Sequence, residues 1–335
     1  MNTNMTDMMN NNNENISINR PITERTNTSL DIKQFCDFLR GNLEGVDNDS
    51  FYVPNDVLNS IDEKIKILSP IKSIANIQYT SFDKIDVIVD LDSKNTSGWV
   101  KDNECMKEPS NNIMRKTINL HQLFARPRVT QMILEDSESK IEEFINNRII
   151  THMAALENKA FLKGDGISEP RGILTYGFSY SGFEHGKIEA IKTGEYGKIN
   201  SYNQLVNVME LLPSEYLNNA VWLMSRNAAS AIKNIKDETT GRFVWQNSIL
   251  SGTPDTLLGY PVVISDDMDR LSISEPTTPV LFGNFYEGYQ IAEKPEIKLL
   301  KDPYNAKPFI EFYATKFIGG DVVNFNAIKA LRSDK

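Results

Sequence analysis

The stretch Glu157–Leu174 reads ENKAFLKGDGISEPRGIL and carries the triplet Gly164-Asp165-Gly166. Glycines this dense can let a backbone wrap a phosphate. That chemistry needs a helix N-terminus after the glycines, so that unpaired N–H groups face the anion. Here the order is reversed. A helical apolar pattern precedes the glycines, and no Gly-Lys-Ser/Thr follows them. The stretch therefore reads as a helix stop and a turn. Gly164 is expected to close the helix with a positive φ, which a Cβ would penalise. Asp165 is expected to bind the turn's own backbone, as aspartate does in tight turns. Gly166 and Gly172 complete this structural turn, and Ile173 and Leu174 are expected to pack beside the helix.

Other chemistry is weakly supported. Asp266, Asp267 and Asp269 crowd one loop but lack the regular ligand positions of a calcium loop, so a solvated turn is the better reading. His121, His152 and His185, with Cys36 and Cys105, are too scattered for a zinc spacing. Ser168, Ser181 and Ser225 have no nucleophile elbow around them. Glu142 and Glu143 read as a solvated helix face. Arg126 and Arg128 are too few to form a nucleic-acid groove. No catalytic, cofactor-binding or metal-ligating residue is assigned, and the pattern asks for no enzyme.

The elements around the turn are clearer. The asparagine-rich residues 1–28 have little to bury, and disorder is expected there. A short amphipathic helix is expected in SLDIKQFCDFLRG. In DKIDVIVDL the apolar residues Ile85, Val87, Val89 and Leu91 alternate with polar ones, which is a strand pattern. A long polar connection separates it from a second strand-like run, KTINLHQLFARPRVT. Together they predict an extended hairpin projecting from the body. Ser139 and Glu142 form a capping box, and Ile141, Ile145, Ile149, Met153, Leu156 and Ala160 follow at helical spacing. From Ser137 to Lys163 that helix would rise roughly 40 Å. Farther on, a helix up to Leu212, a buried strand at 220–225, a helix with Asn227 as cap, and several strands are expected. Gly283, Gly288, Gly319 and Gly320 read as turns or bulges. The class is α+β with mostly antiparallel strands.

Composition sets the outer bounds. The 335 residues allow one or two domains. A net charge of −9 argues against a protein that grips nucleic acid through its phosphates. No apolar run is long enough to cross a membrane as a helix. Two distant cysteines give no disulfide framework.

The ordered set of segments resembles the major capsid protein of tailed bacteriophages with the HK97 fold. Gly98-Trp99-Val100 with Glu104 and Pro109 is similar to that family's Trp-Val-x-Glu…Pro segment. LEDS before a long helix, then ENKAFLKGDGISEPRGIL, IKDETTGRFVW, LLGYPVVISDDM, LFGNFYEGYQI and GGDVVN follow in the family's order. The resemblance implies an HK97-like capsid fold with an N-terminal arm, an extended E-loop hairpin, a long spine helix in a peripheral domain, and an axial domain. It divides the chain into a polar head (1–28), arm and lead-in (29–79), E-loop (80–124), peripheral domain (125–195), axial domain (196–304) and a return to the peripheral domain (305–335).

It also implies function: a shell protein that self-assembles through pentamers and hexamers around packaged double-stranded DNA. Assembly would take place in a bacterial cytoplasm, in a phage, a prophage or a gene transfer agent. Implied partners are a portal protein and a separate scaffold or prohead protease, with no cofactor and no membrane. Trp99, Val100, Lys101 and Glu104 would be E-loop contacts to a neighbouring subunit. An encapsulin-type compartment shares the fold and is the alternative. The chain departs from many relatives in having only a short polar head where they carry a scaffolding region of about a hundred residues. Lys94, Lys101, Asn324 and Asn326 are the residue types used by relatives that cross-link their shells, but most relatives lack that chemistry.

Overall fold

The computed structural model describes residues 51–52, 55–90, 113–130, 140–199, 201–236, 241–248 and 254–335. The expected helix within 29–41 and the expected disordered head lie outside these residues. The elements are, in order, β1 (Phe51–Tyr52), α1 (Asn55–Leu68), α2 (Pro70–Ile74), β2 (Asn76–Tyr79), β3 (Lys84–Asp90), β4 (Ile113–Asn119), β5 (His121–Ala125), β6 (Arg128–Thr130) and α3 (Lys140–Lys163). Then come β7 (Gly177–Ser179), β8 (Lys187–Lys192), α4 (Tyr202–Glu210), β9 (Val221–Met224), α5 (Arg226–Lys233), β10 (Trp245–Gln246), β11 (Thr256–Leu257), β12 (Tyr260–Ile264) and β13 (Thr277–Gly283). The chain ends through α6 (Phe285–Gly288), β14 (Tyr289–Glu293), β15 (Lys298–Asp302), β16 (Phe309–Val322) and β17 (Ile328–Ser333).

Three sheets result. The first is organised by the 14-residue strand β16. β15 and β14 pair along one of its edges, and β5 and β6 along the other. β1 and β2 lie outside β15 and β14. The second sheet has the order β10-β11-β12-β9-β13-β17-β8-β7 and mixes parallel and antiparallel pairs. The third is the two-stranded ribbon β3–β4, paired from Lys84↔Asn119 to Asp90↔Ile113. The sheets do not divide at residues 196 and 304. β14 and β15, within 196–304, pair with β16, while β17, within 305–335, lies between β13 and β8. β14 is buried along its whole length and β17 at every position but Arg332, and each has a sheet neighbour on both sides.

Helix α3 has 24 residues and spans about 36 Å. Between Ile145 and Ala154 it buries Ile145, Ile149, Ile150, Met153 and Ala154 against Ile61 and Ile65 of α1 and Phe312 and Ala314 of β16. Its last turns bury Phe161 and Leu162 against Tyr289, Ile291, Ile318 and Ile328. A third core packs α4 and α5 on the second sheet around Trp222 and Phe282.

Several local expectations need correction. Leu156 is exposed, and Glu157 is buried in its place. The buried row steps by four residues through Ile145, Ile149, Met153, Glu157 and Phe161, so position 156 falls off it. The cap of α5 is Ser225, whose Oγ accepts from the Ala228 N–H, not Asn227. Gly319 and Gly320 sit inside β16 rather than in a turn. A Cβ at Gly319 would lie 2.2 Å from the Asn119 carbonyl oxygen, and one at Gly320 would lie 2.6 Å from the Tyr289 hydroxyl. These glycines let the ribbon base and an aromatic ring approach the strand.

Candidate functional site

The stretch from Gly164 to Gly172 forms a closed turn at the end of α3. The Gly164 N–H completes the helix ladder to the Ala160 carbonyl at 2.8 Å, and the Gly172 N–H returns to the Gly164 carbonyl at 3.0 Å. Asp165 Oδ1 accepts from the N–H groups of Ile167, Ser168 and Glu169, and Oδ2 accepts from the Ser168 hydroxyl. The backbone N–H groups of Ile167 and Ser168 hold its carboxyl down at about 2. The positive φ falls on Gly166, at 75°, and not on Gly164 as expected. Gly164 is required by contact instead: a Cβ there would lie 1.9 Å from the Pro170 carbonyl oxygen. At Gly172 a Cβ would meet the Leu162 carbonyl at 2.4 Å. The turn is thus folded back onto the helix end, and its carboxylate faces inward where a phosphate would have to sit. Ile173 is fully buried, with Leu174 packed against the same cluster.

One turn earlier, α3 contributes Glu157 to a buried group of four charges. Lys72 Nζ of α2 lies 2.8 Å from Glu293 of β14, and Lys316 Nζ of β16 lies 3.1 Å from the same carboxylate. Glu157 faces both ammonium groups at 3.6 and 3.7 Å. None of the four side chains is more than 2% exposed. Burial would raise the Glu293 carboxyl, but Lys316 and Lys72 outweigh it and hold it down at about 2, below its ordinary 4.5. Next to the group, the Asn158 amide donates to Ser265 Oγ at 2.9 Å and to Asp267. The helix is thereby tied to the loop after β12.

A second polar group holds the ribbon base. Lys116 of β4 reaches the Val322 carbonyl at 2.6 Å, the Tyr176 hydroxyl at 2.8 Å and Asp321 at 3.0 Å. The Tyr176 hydroxyl donates to Asp321. Burial pushes the Lys116 ammonium down and the Tyr176 phenol up. Ile85 and Ile118 are buried on one face of the ribbon, whereas Ile88 and Ile113, on the opposite face, are 74% and 61% exposed.

The remaining sequence candidates are dispersed. Trp99, Val100, Lys101 and Glu104, with Lys94 and Cys105, lie outside the described residues. Asp266 pairs with Arg226, Asp267 with Asn158 and Asp269 with Lys163, so the three carboxylates diverge. Arg126 and Arg128 both grip Glu311, at 2.7 and 2.5 Å. Asn324 caps the turn at 325–327 and donates to Tyr216. Among the described residues no group of His, Cys, Asp and Glu could hold a metal ion. Sequence reasoning missed the four buried charges. The signal was present: Glu157 falls four residues from both Met153 and Phe161, and Lys316 alternates in register with Phe312, Ala314 and Ile318.

Comparison with known proteins agrees with this architecture. A family model described as the phage capsid family matches residues 49–333. The capsid of an empty gene transfer agent (GTA) particle, computed with C5 symmetry, is 36% identical, with a TM-score of 0.69 over 80% of this chain and 90% of that one. The capsid of the native GTA particle gives the same identity and score, over 80% and 91%. A chain of Microbacterium phage Oxtober96, 10% identical with a TM-score of 0.55 over 79% and 91%, shares the fold. No curated protein sequence matched. The chain belongs to the phage capsid family. It has the HK97-like capsid fold and is a major capsid protein, a structural subunit of an icosahedral shell.

Two predictions follow from the site. Gly164→Val forces a side chain into the Pro170 carbonyl and should destabilise the subunit by about 3 kcal/mol. Lys163→Ala removes only a half-exposed pair with Asp269 and should cost under about 1 kcal/mol. Urea unfolding of both variants gives the comparison.

Glu293→Gln leaves two buried ammonium groups facing Glu157 alone and should cost about 3–5 kcal/mol near neutral pH. The Glu293 carboxyl is depressed in the folded state, so its contribution is complete above about 4.5 and lost as pH falls through about 2. The gap between wild type and variant should therefore narrow across that window. Unfolding curves with a gap constant down to the acid end of it would contradict the assignment.

Proposed function

We propose that copies of this chain close a shell around double-stranded DNA, with the ribbon β3–β4 as the arm that lies over a neighbouring subunit. The observation that carries the reading is the ribbon itself. Its two strands pair only with each other among the described residues, and Ile88 and Ile113 stand exposed on the face opposite Ile85 and Ile118. An isolated two-stranded ribbon with exposed apolar side chains on its outer face is marginal alone and gains stability by covering a partner.

In this reading residues 80–124 are the E-loop, and Trp99, Val100, Lys101 and Glu104 contact the neighbour. The first sheet with α3 forms the peripheral part. The second sheet with α4 and α5 forms the axial part, which meets its mates at five-fold and six-fold positions. This follows the division of residues 125–195, 196–304 and 305–335, except that β14 and β15 are grouped to the peripheral sheet and β7, β8 and β17 to the axial one. Residues 29–79 supply the arm and lead-in. Many modest contacts shared among neighbours then add up to a stable wall. The net charge of −9 keeps that wall from adhering to packaged DNA. The role is structural rather than catalytic. Assembly takes place in a bacterial cytoplasm, with a portal protein and a separate scaffold or prohead protease as partners. The GTA capsid similarity supports a particle of that kind as well as a phage or prophage.

Light scattering on the purified chain, with nuclease treatment of particles recovered from cells, tests the proposal. Pentamers, hexamers or shells are expected, and the recovered particles should protect DNA. A chain that stays monomeric at high concentration, with or without a scaffold, would overturn it.

A further inference from the structure

The carboxylates among the four buried charges lack hydrogen-bond donors. Lys72 and Lys316 both turn to Oε2 of Glu293, at 2.8 and 3.1 Å. Glu157 lies 3.6 Å from Lys72 Nζ through Oε2 and 3.7 Å from Lys316 Nζ through Oε1. At those separations the charges attract, but the contacts are too long for hydrogen bonds. Both Glu157 oxygens, and Oε1 of Glu293, are fully buried and receive no hydrogen bond among the described residues. The buried Ser69 hydroxyl, three residues before Lys72, is without a partner as well.

A carboxylate oxygen sealed from solvent without a donor is costly, and such atoms are rare in folded proteins. The gap between Lys72 and Glu157 is set by their neighbours along the chain. Asn158 Oδ1 accepts from the Ile71 N–H at 3.5 Å, and the Asn158 amide donates to Ser265 and Asp267. These contacts hold α2 and α3 at a fixed spacing on both sides of the pair. Solvent nevertheless comes close. A recess of roughly 300 Å³ between β5, α3 and the Gly164–Gly172 turn has Glu157 in its wall, with Phe124, Leu156, Pro170 and Ile318.

We infer that a buried water molecule bridges Lys72 Nζ and Glu157 Oε2 and completes the hydrogen bonding of the four charges. A lysine ammonium has three N–H groups, and Lys72 uses one of them on Glu293. The water accepts another and donates to Glu157, which leaves its second hydrogen for a further orphan oxygen. Placed about 2.8 Å from each group, it stands beside the line joining them rather than on it. A polar contact a little too long for a direct bond, inside a closed and polar site, is where bridging water is found. Water is also the ligand that keeps two positive charges matched to two negative ones. A metal cation would sit against two ammonium groups, and an anion against two carboxylates. The recess supplies the route from solvent. The inference concerns the subunit's own interior and does not depend on assembly.

A density map of the full chain, from crystals of the subunit or from averaged shells, tests this at a resolution that shows other internal waters. A peak should stand about 2.6–3.2 Å from both Lys72 Nζ and Glu157 Oε2. In Glu157→Leu, which removes the acceptor, the same peak should be lost while waters elsewhere in the interior remain. The wild-type map decides by itself if that variant does not fold. A wild-type map without the peak, or one with Lys72 Nζ in direct contact with Glu157 at about 2.8 Å, would overturn the inference. A peak that persists unchanged in Glu157→Leu would overturn it too, because Glu157 would then not be what holds the water. A peak closer than about 2.5 Å to Glu157 and ringed by oxygens alone would mark a metal cation and also overturn it.

Discussion

The body of this subunit depends on four buried charges. Lys72, Glu157, Glu293 and Lys316 come from α2, α3, β14 and β16, and they meet where the long helix crosses the central strand. Each charge loses its water on burial, which is unfavourable unless opposite charges replace it. The arrangement is neutral overall, but Glu293 takes the short contacts and Glu157 the long ones. Apolar contacts can slide by a fraction of a turn at small cost. A charge placed among two partners cannot slide without being left alone. The quartet therefore sets the register of α3 on the first sheet, and the apolar clusters on either side of it provide the bulk of the burial.

That register has consequences at both ends of the helix. At the C-terminal end it places Gly164 and Gly172 in backbone contact with each other, so Arg171 is carried to the Tyr176 ring beside the ribbon base. Through Asn158 it also links the helix to the loop carrying Ser265 and Asp267. The Lys116 group then fixes where the ribbon leaves the body. A shell subunit needs this rigidity, because an arm that reaches a neighbour positions it only as well as the arm's own base is held.

Much of this was legible in the sequence. The alternation around Ile85 and the long apolar repeat of α3 give one dominant period each, and periodicity is the strongest local signal. The Gly-Asp-Gly turn was legible because its glycines follow a helix. Beyond the local slips at Leu156 and at the Asn227 cap, what failed were the statements that depend on distant chain segments. Gly164 was expected to need a positive φ, yet its constraint is the Pro170 carbonyl; a close approach of that kind has no local signature. Gly319 and Gly320 look like turn residues because their partners, Asn119 and Tyr289, are far along the chain. The spacing of Glu157 from Met153 and Phe161 puts it on the buried row, but the lysines that neutralise it lie far along the chain, on α2 and β16. The ordered family segments carried the functional reading further than any single residue could.

The claim that the quartet welds α3 to the sheet is tested most directly by native-state hydrogen exchange of the subunit across low denaturant. The amides of Met153–Lys163 in α3, Gln290–Glu293 in β14 and Lys316–Asp321 in β16 should converge on one opening free energy, equal to that of global unfolding. Amides of α3 that exchange through a smaller, separate opening while β16 stays protected would contradict it.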